Sequence, residues 1–367
     1  MKKKWYAAFC AIILLIPLVT ARAEGTQRGL FVSLIQDPPV LTSAAAITKM
    51  IDFAKKADIG TLYVQVYRAN EAWFPSHIAD QAQYEACLKK LGADPMKSLI
   101  ERAHQRGVAV YAWLNVLSLS QNKDALLLKK YGPGILTRNV RKKKTLDDYK
   151  IDSQFFLEPG DLRVRKEMVE LTEELLRAYP GLDGILFDYI RYPDTKPAYG
   201  HTAANVARFK AATGRMAVDE ESRAWEEWKR SQVTECLQAL VARARKIRPG
   251  LSVSATGCMP YARAYLEAFQ DWPSWLERGI VDSVTIMTYS PDPAELERWI
   301  RAIRSKVADF KKINICLGAY KLVRSPAAFS RLFRAGELAG GGSCVFFHYG
   351  SFLEDPSLSS VLTGRGK

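Results

Sequence analysis

Leu182-Asp183-Gly184-Ile185-Leu186-Phe187-Asp188-Tyr189-Ile190-Arg191-Tyr192-Pro193 holds a short apolar run between two aspartates. A strand with apolar residues on both faces is read as buried on both, as in a parallel sheet covered by helices. Asp183 and Asp188 then lie at opposite ends of one strand. In such folds the C-terminal end carries chemistry and the N-terminal end carries structure, so Asp188 becomes the residue of interest.

The same pattern recurs on both sides of this stretch. Apolar runs at 29–34, 61–67, 108–114, 184–188, 251–255, 283–288, 313–317 and 343–347 read as eight strands. Helix-like spacing falls between them at 44–58, 95–106, 161–179, 222–248, 293–309 and 326–339. In the 161–179 segment Val164, Met168, Leu171 and Leu175 share a face, Asp161 stands at the start and Pro180-Gly181 just past the end. Eight such units predict an α/β chain closed into a (β/α)8 TIM barrel over residues 24–360, with a C-terminal tail at 361–367. The long connection from Asn115 to Asp161 predicts an insertion after strand three, on the C-terminal rim. An open doubly wound sheet lacks its signature, because no strand here leads into a Gly-x-Gly-x-x-Gly turn.

The chain of 367 residues carries 53 Lys and Arg against 39 Asp and Glu, a formal charge of +14. Part of that excess belongs to the N-terminus. Lys2, Lys3 and Lys4 precede an apolar run from Trp5 to Val19, and Ala21-Arg22-Ala23 has the form of a cleavage site. Residues 1–23 are therefore expected to be a secretory signal peptide cut after Ala23, the protein being exported to the periplasm or beyond. Its removal takes four basic residues and no acidic one, leaving 344 residues and a charge of +10. Export argues against a nucleic-acid partner, and no aromatic-basic ladder accompanies Arg141-Lys142-Lys143-Lys144. That basic run suits a cationic part of the cleft wall. Peripheral contact with a membrane surface or an anionic envelope polymer stays open. Five cysteines outside the export segment, none closely paired, predict no disulfide scaffold. Four scattered histidines give no metal-ligand spacing, so no metal or cofactor is expected.

Aromatic, amide and charged residues concentrate at the expected strand ends. Arg68 and Trp73 follow strand two, Trp113 and Asn115 end strand three, and Arg191 and Tyr192 follow Asp188. Tyr289 follows strand six, and His348 and Tyr349 follow strand eight. Aromatic faces pack on sugar C–H patches while acids and amides bond hydroxyls, so these side chains are expected to bind a poly- or oligosaccharide. Partial desolvation at the strand end would raise the pKa of Asp188 and let it act as acid/base. Glycosidases usually pair two carboxylates. Asp292 after strand six, or Glu158 from the long connection, is expected as the second. Asp292 also fits the N-cap of the helix beginning at Pro293.

These segments resemble the bacterial glycosyl hydrolase-like family 10 proteins. The matching stretches are Arg28-Gly29-Leu30-Phe31-Val32, Gln65-Val66-Tyr67-Arg68, Ala112-Trp113-Leu114-Asn115, Glu158-Pro159-Gly160 with Val164-Arg165, Leu182 to Pro193, Trp275 to Gly279 and Gly341-Gly342. The resemblance implies an exported (β/α)8 glycosidase-like barrel, some of whose relatives are thought to cleave peptidoglycan glycan strands. Family members often carry two adjacent aspartates at the end of strand four, where this chain has Asp188-Tyr189. A more distant similarity to chitinase-like family 18 glycosidases rests on Asp183-Gly184-Ile185, Asp188, Tyr192-Pro193 and Met287-Thr288-Tyr289. Those enzymes place a glutamate two residues after the strand-end aspartate, where Ile190 stands here. The expected function is hydrolysis of an envelope polysaccharide, an amino-sugar polymer such as peptidoglycan glycan. The alternative is a carbohydrate-binding or envelope-organising barrel without turnover.

Overall fold

A computed structural model describes residues 27–193 and 198–364. The expected export segment and the last three residues of the expected tail lie outside the described residues. Eight parallel strands run through the chain: β1 Gln27–Val32, β2 Thr61–Arg68, β3 Ala109–Asn115, β4 Gly184–Asp188, β5 Ser252–Gly257, β6 Ser283–Thr288, β7 Ile313–Gly318 and β8 Ser343–Phe347. Each pairs with its sequence neighbour, and β8 returns to β1 through Gln27↔Ser343 to Leu30↔Phe346, closing the ring. All eight expected strands are present.

The closed ring divides the apolar residues into two compartments. Inside it, Phe31, Tyr63, Trp113, Leu186, Cys316 and Val345 fill the barrel. Outside, residues such as Ile185, Phe187, Val253 and Ile286 pack the strands against the helices. Along β4 the alternation of two puts Leu186 inward and its neighbours outward, so Asp188 is the next inward side chain after Leu186. Gly184, the inward position below Leu186, has no room for a side chain, because a Cβ there would overlap the Tyr111 ring. In β2 a register shift between Gln65 and Tyr67 breaks the alternation. Gln65 bonds Ser33 of the neighbouring connection, whereas the buried Tyr67 hydroxyl meets Met168 of the outer layer.

The helices follow their sequence signals. Leu162–Ala178 is capped by Asp161, whose side chain accepts from the Arg163 N–H, and buries Val164, Met168, Leu171 and Leu175. Pro293–Arg304 and Arg223–Ile247 are likewise capped, by Asp292 and Ser222. Between β5 and β6 stand two short helices, Tyr261–Leu266 and Trp272–Glu277; six residues are too few for the apolar spacing of a helix to stand out in sequence. Residues between β3 and Leu162 form a short strand pair, Ser118–Ser120 with Phe155–Phe156, and the helix Leu126–Tyr131. Among the described residues no helix is long and apolar enough to cross a membrane.

Asp183 behaves as its place at the start of β4 predicts. Its Oδ2 accepts from the Val110 N–H at 2.7 Å and lies 2.8 Å from Nε2 of His104. Asp282 repeats the device before β6, accepting from the Val253 N–H at 2.8 Å. Both aspartates tie strand starts together, far from the strand ends where chemistry is sought.

Candidate active site

Asp188 closes the top of the barrel filling. The residue is 5% exposed, and its carboxylate meets donors on both oxygens. Oδ1 accepts from Thr256 Oγ1 at 2.6 Å, from the Tyr189 N–H at 2.7 Å and from Arg191 Nη1 at 3.4 Å. Oδ2 accepts from Trp113 Nε1 at 3.1 Å. The strand end is tied down as well, since the Asp188 carbonyl accepts from the Val116 N–H. Tyr189 adopts a left-handed φ of 56°, a region that costs a non-glycine residue energy. That turn aims its N–H at Asp188, and the Arg191 guanidinium lies over the Tyr189 ring, 4.2 Å from its centre.

Asn115 and Tyr289 lie around this carboxylate, and His348 stands just past the end of β8. Asn115 pairs in register with Asp188. Its buried Oδ1 has no hydrogen-bond partner among the described residues, so a ligand hydroxyl or amide would satisfy it. The Tyr289 ring packs on Phe347, with 5.2 Å between centroids, and meets Tyr320 edge-on. Burial, with Cys316 and the Asp188 charge adding to it, pushes the Tyr289 hydroxyl well above its usual pKa and keeps it protonated. The His348 ring accepts the Gly350 N–H on Nδ1 and packs against Phe347. Burial lowers its pKa. A cleft of about 300 Å³ opens beside Arg191 and Tyr289, over the ends of β4 to β7.

Other expected residues go elsewhere. Glu158 is fully buried and faces Tyr192: the Tyr192 hydroxyl donates to its Oε1 at 2.5 Å, and the Gly160 N–H at 3.2 Å. Burial raises the Glu158 pKa. Asp292 caps its helix through Oδ1, which accepts from the Ala294 N–H at 2.9 Å, and its half-exposed Oδ2 lies 3.9 Å from Arg298. Arg68 donates to Ser120 at 3.4 Å. Trp73 packs on the outer apolar layer beyond the hairpin of Glu71–Ala72. Tyr349 is buried against Phe53, likewise in the outer layer. Arg141, Lys142 and Lys144 are exposed, and the Lys144 N–H bonds Asp148.

Thr256 is the principal site residue that reading the strand ends missed. The signal was there, since Ser252, Ser254 and Thr256 alternate with Val253 and Ala255 along β5. Three polar residues at a spacing of two mark an inward face.

Residues 28–323 match the family described as Glycosyl hydrolase-like 10. Glycosyl hydrolase DigH of Escherichia coli (strain K12) is 23% identical over 310 residues, covering 75% of this chain and 68% of that protein. Glycosyl hydrolase YngK of Bacillus subtilis (strain 168) is 22% identical over 259 residues, covering 66% of this chain and 48% of that protein. Among solved structures, the catalytic domain of β-amylase from Paenibacillus polymyxa superposes with a TM-score of 0.57 at 11% identity, over 93% of this chain and 98% of that one. The β-galactosidase from Bacillus circulans sp. alkalophilus gives 0.59 at 11% identity, over 88% and 50%. At such identities the likeness is one of fold.

Proposed function

The chain belongs to the glycosyl hydrolase-like 10 family, and from that membership we propose that it is an exported glycoside hydrolase acting on an amino-sugar polymer of the cell envelope, with peptidoglycan glycan strands as the concrete substrate. One observation carries the reading: Asp188 is a near-buried carboxylate at the strand ends, held by an indole, a hydroxyl, an amide and a guanidinium beside an aromatic cleft. Glycoside cleavage passes through a positively charged, oxocarbenium-like centre. A carboxylate fixed in advance meets that charge without reorganising. Since all four neighbours donate, Asp188 is engaged as an acceptor, which favours the nucleophilic or charge-stabilising role over proton donation. Asn115 offers an acceptor and Tyr289 a protonated hydroxyl to the sugar. Asp292, whose Oδ2 stays accessible beside β6, is the second carboxylate in this scheme, while Glu158 is sealed behind Tyr192.

The test is digestion of purified envelope glycans by the intact protein and by Asp188→Asn, with products separated by chromatography. Release of fragments by the intact protein alone is expected. Fragments of equal yield from the variant would remove Asp188 from the mechanism. A second reading, glycan binding without turnover, draws on the engagement of both Asp188 oxygens by protein donors and on the capping role of Asp292. Retention of glycan by both proteins without any product would favour it.

A further inference from the structure

We propose that the cleft beside Asp188 is a subsite for a sugar unit bearing an anionic group, a carboxylate or a sulfate; this rests on the glycan reading above and adds the charge of the unit bound. The cleft, at about 300 Å³, lies at the small end of ligand pockets and suits one sugar unit. Three cationic side chains line it, each from a different connection: Arg191 after β4, Arg263 after β5 and Lys321 after β7. Among the described residues the lining contains no acidic residue. That composition discriminates between ligands. Neutral sugar hydroxyls both donate and accept, so they are usually held with the help of acceptors, carboxylates and amides above all. Guanidinium and ammonium groups only donate, and they match an acceptor-only anion.

The aromatic lining gives the sugar ring its place. Tyr289 and Tyr320 stand at 87° to each other with centroids 5.7 Å apart, forming a corner. A pyranose seated there would lie beside Arg191, whose Nη1 is 3.4 Å from Asp188 Oδ1. Arg191 thus links the reaction centre to the anion subsite, while the exposed Arg263 and Lys321 close the far side. An acidic unit would be read next to the bond being cut.

The test is calorimetric binding of three tetrasaccharides to the full chain: chitotetraose, its 6-sulfated form, and a tetrasaccharide alternating glucuronate with N-acetylglucosamine. At least one anionic tetrasaccharide should bind about tenfold or more tightly than chitotetraose at low salt, and the gap should narrow as salt rises. The tighter of the two identifies the group. In the double variant Arg263→Gln/Lys321→Gln the advantage should fall below about threefold with chitotetraose binding retained, and Arg263→Lys/Lys321→Arg should restore most of it. Equal binding of neutral and anionic forms by the unaltered protein overturns the subsite and leaves the glycan reading intact. An advantage that survives the double variant also overturns it, by putting the anion elsewhere. Failure to bind any of the three, with no fragment released from envelope glycans, sinks both readings together.

Discussion

The indole N–H of Trp113 donates to Asp188 Oδ2 at 3.1 Å, so a residue of the aromatic barrel filling also orients the carboxylate above it. Thr256 Oγ1 does the same from the other side, at 2.6 Å from Oδ1. Packing and chemistry therefore share side chains here.

If these donors set the carboxylate's orientation, removing one should slow turnover more than it weakens binding. Thr256→Val should lower kcat by about 10- to 100-fold with little change in KM, and Thr256→Ser should restore most of it. Trp113→Phe should act in the same direction. Asp188→Asn should cost about a thousandfold or more. Steady-state kinetics on a soluble glycan fragment, with circular dichroism to verify folding, checks all four.

Asp292 offers two roles that separate cleanly. Asparagine caps a helix about as well as aspartate, whereas alanine costs about 1 kcal/mol. Asp292→Asn should keep the unfolding midpoint and lose turnover, while Asp292→Ala should lose both. Full activity in the asparagine variant would reduce Asp292 to a helix cap.

The strands were legible because a closed parallel barrel buries both faces of each, leaving apolar runs that stand out between helices. Asp188 was legible for the same reason, as the polar residue that ends one such run. Its neighbours were harder to assign. Arg191 and Tyr192 are consecutive, yet Arg191 bonds Asp188 while Tyr192 turns away to Glu158. The left-handed turn at Tyr189 is what redirects the chain, and nothing in a tyrosine announces it. Glu158 was expected in the cleft because sequence gives the position of a carboxylate along the chain but not the direction its side chain takes. Asp292 was ambiguous from the start, since cap and catalytic acid ask for the same residue type.

The Tyr192–Glu158 contact should matter to stability. Tyr192→Phe removes the hydroxyl that donates to Glu158 Oε1 at 2.5 Å, and Glu158 Oε2 has no hydrogen-bond partner among the described residues. The expected loss is about 1–3 kcal/mol in denaturant unfolding. Adding Glu158→Gln to Tyr192→Phe should cost less than the sum of the single changes, because the two groups share one bond.

A pH dependence follows from Lys229, a buried residue whose ammonium lies 3.7 Å from the centre of the Phe269 ring. Burial lowers its pKa to about 7. The folded state therefore binds its proton less tightly than the unfolded chain, whose lysine titrates near 10.4. Between those values the unfolded state holds more protons, so stability rises with pH from about 7 toward 10 and levels off below about 7, where both states carry the proton. Urea unfolding at pH 7, 8 and 9 should show this rise, and Lys229→Met should flatten it. An unchanged slope in the variant would assign the dependence to other groups.

Gly160 follows Glu158-Pro159 and lies against Asn205, so that a Cβ there would overlap the Asn205 carboxamide. The carboxamide has little freedom to withdraw. Its Nδ2 donates to the Gly200 carbonyl at 2.8 Å, and its Oδ1 accepts from Trp228 Nε1 at 3.0 Å. Gly160→Ala should therefore destabilise the fold by about 1–3 kcal/mol through overpacking. The cause is steric, so trimming the obstacle should relieve it: Gly160→Ala/Asn205→Ala should be more stable than the two single losses predict. Simple additivity in a double-mutant cycle would show that the glycine is required by its backbone and not by its neighbour.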